Sequence, residues 1–158
     1  MTYELRIQRL FDAPPELVFD TFVDPDAQAD IYADAPEGYR LLESEIDLRV
    51  GGTWTTTVGP EEGEPDRLTY VFTEIDRPRR LVADMNMFVG EWGRTVASTV
   101  ALTFEEHEGK TLVTIVQSGF ETEEDRDSFM SGAPGFLDAL QRAVAARVAG
   151  TETDDEGE

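Results

Sequence analysis

Few side chains in this sequence are spaced for chemistry. Glu43, Glu45 and Asp47 fall two apart, which on a strand puts all three carboxylates on one face. Such a trio could hold a divalent cation or divide acid and base roles. Metal sites, however, usually draw ligands from more than one element, so a solvated outer face on a very acidic protein is the favoured reading of this spacing. Arg49 is expected to pair with Asp47. The only histidine, His107, sits in Glu106-His107-Glu108-Gly109, which reads as a solvated hairpin turn. There is no cysteine, no second histidine and no Gly-x-Ser-x-Gly, so nucleophilic and zinc catalysis lack their parts. Gly51-Gly52 reads as a hairpin turn and not as a phosphate-cradling strand-to-helix junction. The sequence thus nominates no catalytic residue, no metal site and no cofactor.

The other candidate chemistry is apolar. Phe19, Phe22, Tyr32, Trp54, Tyr70, Phe72, Met85, Met87, Phe129, Phe136 and Leu140 are expected on inward faces, with Phe104 and Met130 beside them. Taken singly, each of these is a core residue. As a set they could equally line a ligand cavity, since bulky rings can hold a helix off a sheet and methionines adapt to a ligand's shape; the residues alone leave filled core and cavity wall both open. Tyr32, Trp54 and Tyr70 also carry polar groups that need a partner when buried, in backbone, water or a ligand oxygen.

The elements that must position these residues follow from periodicity. From Glu123 to Val148, Phe129, Ala133, Phe136, Leu137, Leu140, Val144 and Val148 recur at helical spacing. Most of the preceding chain alternates as strands. Tyr3 to Phe11 is the first. Asp12 before Pro14-Pro15, and Asp24 before Pro25, are start signals for two short helices. Ala27, Ile31 and Tyr32 of the second are expected to face inward, and 33–38 reads as a loop. Six further strands are expected near 39–48, 53–58, 67–75, 80–88, 94–105 and 110–119. Leu42, Ile46 and Leu48 of the first of these should share the inner face. Short turns between them imply an antiparallel meander. The expected organisation is one α+β domain over 1–149 and a disordered acidic tail over 150–158.

Composition narrows the partners. With 34 acidic and 13 basic residues in 158, the formal charge is -21, and Lys110 is the sole lysine. Such a surface repels nucleic acid and anionic membranes. It also suggests adaptation to a high-salt cytoplasm, where that repulsion is screened; unfolding at low salt and refolding at molar salt is the expected behaviour. No basic-then-apolar leader opens the sequence and no apolar run reaches membrane-span length, so a cytoplasmic protein is expected.

Three motifs carry a family resemblance. They are Phe11-Asp12-Ala13-Pro14-Pro15-Glu16-Leu17-Val18-Phe19 followed by Asp24-Pro25, then Asp47-Leu48-Arg49-Val50-Gly51-Gly52-Thr53-Trp54, and then Gly135-Phe136-Leu137 with Leu140. In this order the chain resembles the START-like (SRPBCC, helix-grip) superfamily, in the branch related to the activator of the heat-shock protein 90 ATPase. Tryptophan is commoner there at the position of Phe136. The resemblance covers about residues 3 to 148. It implies a curved antiparallel sheet of about seven strands gripping a long C-terminal helix, with a cavity between. Members bind lipids or other apolar molecules, modify polyketides or regulate chaperones, so the fold alone does not assign a role.

The leading expectation is non-catalytic binding of an apolar small molecule or lipid between sheet and helix, by a monomer or homodimer. A regulatory protein-protein module, using the loop Met87 to Arg94 with Phe88 and Trp92, is the alternative. A cyclase- or hydrolase-like enzyme using Tyr70, Glu45 or Arg49 ranks third.

Overall fold

The computed structural model describes residues 2–33, 40–59, 63–90 and 92–156, and the side chains of 2–29, 40–59, 63–90 and 92–149 among them. Seven strands, β1 (Tyr3–Phe11), β2 (Arg40–Ile46), β3 (Thr53–Gly59), β4 (Asp66–Asp76), β5 (Arg80–Val89), β6 (Arg94–His107) and β7 (Lys110–Phe120), form one sheet. Its order is β1-β7-β6-β5-β4-β3-β2 and every pairing is antiparallel. Helices α1 (Pro15–Phe22) and α2 (Pro25–Ala33) follow β1, and α3 (Glu123–Glu156) closes the chain. This is the expected α+β architecture.

Consecutive strands β1 and β2 lie at opposite edges of the sheet, so α1 and α2 carry the chain across one face between them. The same face receives α3, which approaches β1, α1 and α2 closely but touches β7 only lightly. Helix and sheet meet along one side and diverge along the other.

Local chemistry explains most boundaries. Asp24 caps α2, its Oδ1 accepting the Asp26 N–H at 2.8 Å. Asp12 does not play that part for α1: the capping position is Pro14, without a side-chain cap bond, and its carbonyl accepts from Leu17 and Val18. Prolines at 14 and 15 preset the entry dihedrals, so a capping side chain is dispensable. Thr122 caps α3, its hydroxyl accepting the Asp125 N–H at 3.1 Å. The turn from Asp47 to Gly52 requires glycine at its end, because a Cβ on Gly52 would lie 2.2 Å from the Asp47 carbonyl oxygen. Arg49 closes this turn with a 2.7 Å ion pair to Asp47, the pairing the sequence suggests.

The expected inner face of β2 needs correction. A bulge between Leu41 and Glu43 shifts the β2 register. Leu42, expected inside, is therefore 44% exposed; Leu41 packs inward in its place, and Ser44 and Ile46 are half-buried. Leu48, also expected inside, falls beyond the strand and is exposed. The backbone of α3 is helical to Glu156. The loop expected at 33–38 falls almost wholly outside the described residues.

The main core lies where the helices meet β1, β6 and β7. Phe11, Val18, Phe19, Phe104, Val113, Leu137, Leu140 and Val144 are all nearly or wholly inaccessible there. Edge-to-face ring contacts join Phe19 to Phe104 at 5.2 Å and Phe22 to Phe104 at 5.4 Å.

Candidate functional site: a cavity beneath one half of the long helix

A cavity of about 740 Å³ lies between the sheet and α3. It exists because side-chain size falls away on the facing stretch of helix. From Ser128 to Ala139 the lining positions include Gly132, Ala133, Gly135 and Ala139. A Cβ added at Gly132 or Gly135 would meet no atom within 4 Å. Opposite them stand Trp54, Leu68, Tyr70, Phe72, Ala83, Met85 and Met87, carried inward by the alternation of β3, β4 and β5. Pro134 lies inside the same stretch, where it withholds one helical N–H.

The wall includes Phe22, Trp54, Tyr70, Phe72, Met85, Met87, Phe129, Phe136 and Leu140 from the set named above. Phe19 lies elsewhere, sealed in the core against Phe104. Phe104 and Met130 are also off the wall; Met130 is 37% exposed on the outer side of α3. The side chains of Ile31 and Tyr32 fall outside the described residues. Trp92, expected as an outward contact residue, lines the cavity too, with the Arg94 guanidinium 4.9 Å from its ring centre.

Several wall residues carried no apolar signature. Gln28, Gln117, Ser128, Arg142 and the helix glycines line the space, and an apolar search overlooks them. The lapse in the α3 stripe between Phe129 and Leu137, filled by Gly132-Ala133-Pro134-Gly135, was the available signal. Among the described residues no carboxylate belongs to the wall, although acids make up 34 of the 158 residues in the sequence. Glu43, Glu45 and Asp47 are exposed on β2 and the turn after it. Glu45 and Arg49 therefore do not join Tyr70 in one site.

The polar wall groups form ordered networks. Trp54 Nε1–H donates to Ser44 Oγ at 2.9 Å. Ser44 donates in turn to Gln28 Oε1 at 2.9 Å, and Thr56 donates to the same oxygen at 3.2 Å. Gln117 Nε2 donates to Ser98 Oγ at 2.9 Å and approaches Met85 Sδ at 3.5 Å. Both amides belong to residues 8% exposed.

Ion pairs pin α3 at either end of the cavity. At its start Asp125 accepts two bonds from Arg94, of 2.7 and 3.0 Å. The Arg94 hydrogen bonds hold the Asp125 carboxyl below the usual aspartate range, against its burial. Towards the other end Arg9 bonds Asp138 at 2.7 Å and Gln141 at 2.8 Å, and Arg147 pairs with Asp24. Burial raises the Asp24 carboxyl, but the Arg147 and Asp26 hydrogen bonds outweigh it and leave it lowered.

An antiparallel sheet gripping a long C-terminal helix across an internal space defines the START-like (SRPBCC) helix-grip class. Within it, residues 12–145 match the Activator of Hsp90 ATPase homolog 1-like protein family, to which this chain belongs. Solved structures of the same fold include the Mll3558 protein from Rhizobium loti, with TM-score 0.76, 23% identity, and 90% of this chain and 97% of that one covered. A protein from Rhizobium leguminosarum gives TM-score 0.76 at 25% identity, covering 92% and 96%. CV1439 from Chromobacterium violaceum gives 0.76 at 24%, covering 89% and 96%. No curated protein matches the chain. Among the described residues, no helix is long and apolar enough to cross a membrane.

Proposed function

We propose that this protein binds an apolar small molecule or lipid, without catalysis, in the space between β3–β6 and the first half of α3. The observation carrying this reading is the cavity of about 740 Å³, whose wall is mostly apolar and has no carboxylate among the described residues. Its size lies within the roughly 300–1,000 Å³ typical of small-molecule sites. The space is partly open to solvent, so water can enter it, but its wall is mostly apolar and an apolar guest gains by displacing that water.

Native mass spectrometry of the protein as isolated, with Nile red titration of the stripped protein, tests the proposal. One apolar guest per chain, displaceable by dye, is expected. A guest-free protein that takes up no dye overturns it.

A second reading has one observation behind it. Trp92 keeps 38% of its surface exposed beside the Arg94 guanidinium, a combination suited to protein contact. The family description names activation of the Hsp90 ATPase. If that role extends to this chain, adding it raises an Hsp90-type chaperone's ATPase rate, and Trp92→Ala reduces the gain. An unchanged rate removes this reading.

A further inference from the structure

The Trp54-Ser44-Gln28-Thr56 network fixes which end of one amide meets the cavity. An indole N–H can only donate, so Ser44 Oγ must accept it. Ser44 directs its single hydrogen at Gln28 Oε1, at 2.9 Å. The Thr56 hydroxyl donates to that same atom. The Gln28 carbonyl oxygen is thereby occupied twice, and its NH2 group turns the other way. No described residue accepts from Gln28 Nε2, while Gln28 is 92% buried (8% exposed) and belongs to the cavity wall. Fully buried side-chain polar atoms without a partner are absent among the described residues, so this nitrogen keeps some accessible surface, and the cavity is the space that Gln28 borders.

An amide NH2 bordering an apolar cavity needs an acceptor, and no described residue supplies one. We infer that Gln28 is the polar anchor of the cavity and that its guest is a neutral apolar molecule bearing a carbonyl oxygen. Neutrality follows from two features of the electrostatic environment: a formal charge of -21 opposes the approach of an anion, and the NH2 donor end of Gln28 repels a cation. Gln117 shows the reverse pattern. Its NH2 is committed to Ser98 and Met85, and its carbonyl oxygen is the end without a described partner. A hydroxyl-bearing guest would be oriented there instead.

This inference rests on the binding reading above, and three near-isosteric probes separate the two. They are 2-acetylnaphthalene (ketone), 2-ethylnaphthalene (hydrocarbon) and 1-(2-naphthyl)ethanol (alcohol), titrated calorimetrically at pH 8. The ketone should bind the native chain about two- to tenfold more tightly than the hydrocarbon, the range one net hydrogen bond gives. Gln28→Met, which keeps length but removes both N–H groups, should erase that advantage. Gln28→Glu keeps an acceptor for Ser44 and Thr56, which preserves the fold. It offers only acceptor oxygens to the guest, so it should favour alcohol over ketone. Ketone and hydrocarbon binding the native chain equally, alcohol binding it best, or a ketone advantage surviving in folded Gln28→Glu overturns the anchor and leaves the receptacle. If none of the probes binds the native chain, both readings fall.

Discussion

The two halves of α3 have opposite relations to the sheet. From Leu137 onward the helix is packed on the core, where Leu137, Leu140 and Val144 mesh with Phe11, Phe19, Phe104 and Val113, and only Ala139, Leu140 and Arg142 still border the cavity. From Ser128 to Phe136 it stands over empty space, with glycine or alanine at three of the lining positions, Gly132, Ala133 and Gly135. The ion pairs reflect the same division, since they lie at the helix start and along its second half, with none from the stretch between among the described residues. The lesson is that one helix is anchored as a structural beam and used as a wall. Stability and capacity reside in separate stretches and should respond separately to mutation.

The largest expected effect breaks the filled half. Leu137 is 1% exposed and is not part of the cavity wall. Leu137→Ala removes a fully packed side chain and should cost about 2–5 kcal/mol, read as a shifted urea midpoint. Dye affinity of the folded fraction should stay at the native value. A parallel fall in affinity would show that the two halves are not independent.

The middle effect sharpens the comparison from the other side. Gly132→Leu places a branched side chain where the backbone has no neighbour. Leucine also gains about 0.8 kcal/mol of helix propensity over glycine. The variant should be more stable than the native chain by about 1 kcal/mol and bind Nile red about tenfold more weakly. Greater stability with undiminished binding would mean that the dye sits elsewhere.

The two halves also differ in how far the sequence disclosed them. The filled half was legible, because Leu137, Leu140 and Val144 recur at helical spacing and burial follows from periodicity. The strands were legible for the same reason, apart from β2. There a one-residue bulge moved Leu42 outward, and nothing in Leu41-Leu42-Glu43 announces a bulge. Aromatics on the sheet side of the cavity, such as Trp54 and Phe72, could be placed by alternation. Phe19 could not be told from them, since a ring that fills a core and a ring that borders a void have the same signature. The cavity itself arises from side chains that are missing, and small residues in a helix leave no periodic mark. Gln28 and Gln117 owe their roles to partners distant in sequence, such as Thr56 and Ser98, and pairing across the fold is not written in local pattern.

The smallest effect concerns the end of the open half. Asp125 is 7% exposed by its side chain, whereas its partner Arg94 is 51% exposed. Solvent around the guanidinium screens the pair, so its contribution is modest. Its sign is nevertheless fixed. The Arg94 bonds, supported by Thr122, lower the Asp125 carboxyl in the folded state. A lowered folded value means that the unfolded chain binds the proton more readily. The stabilisation is therefore complete above the ordinary aspartate value, near pH 4, and is lost as pH falls through the lower folded value. Asp125→Asn should be less stable than the native chain at pH 7, and the gap should close in melts taken below pH 4. Since Asp125 holds the helix start beside Trp92, the variant should also release dye faster at pH 7 while Leu137→Ala does not. Equal release rates in the two variants would assign the Arg94 pair to stability alone and leave the open half without a clasp of its own.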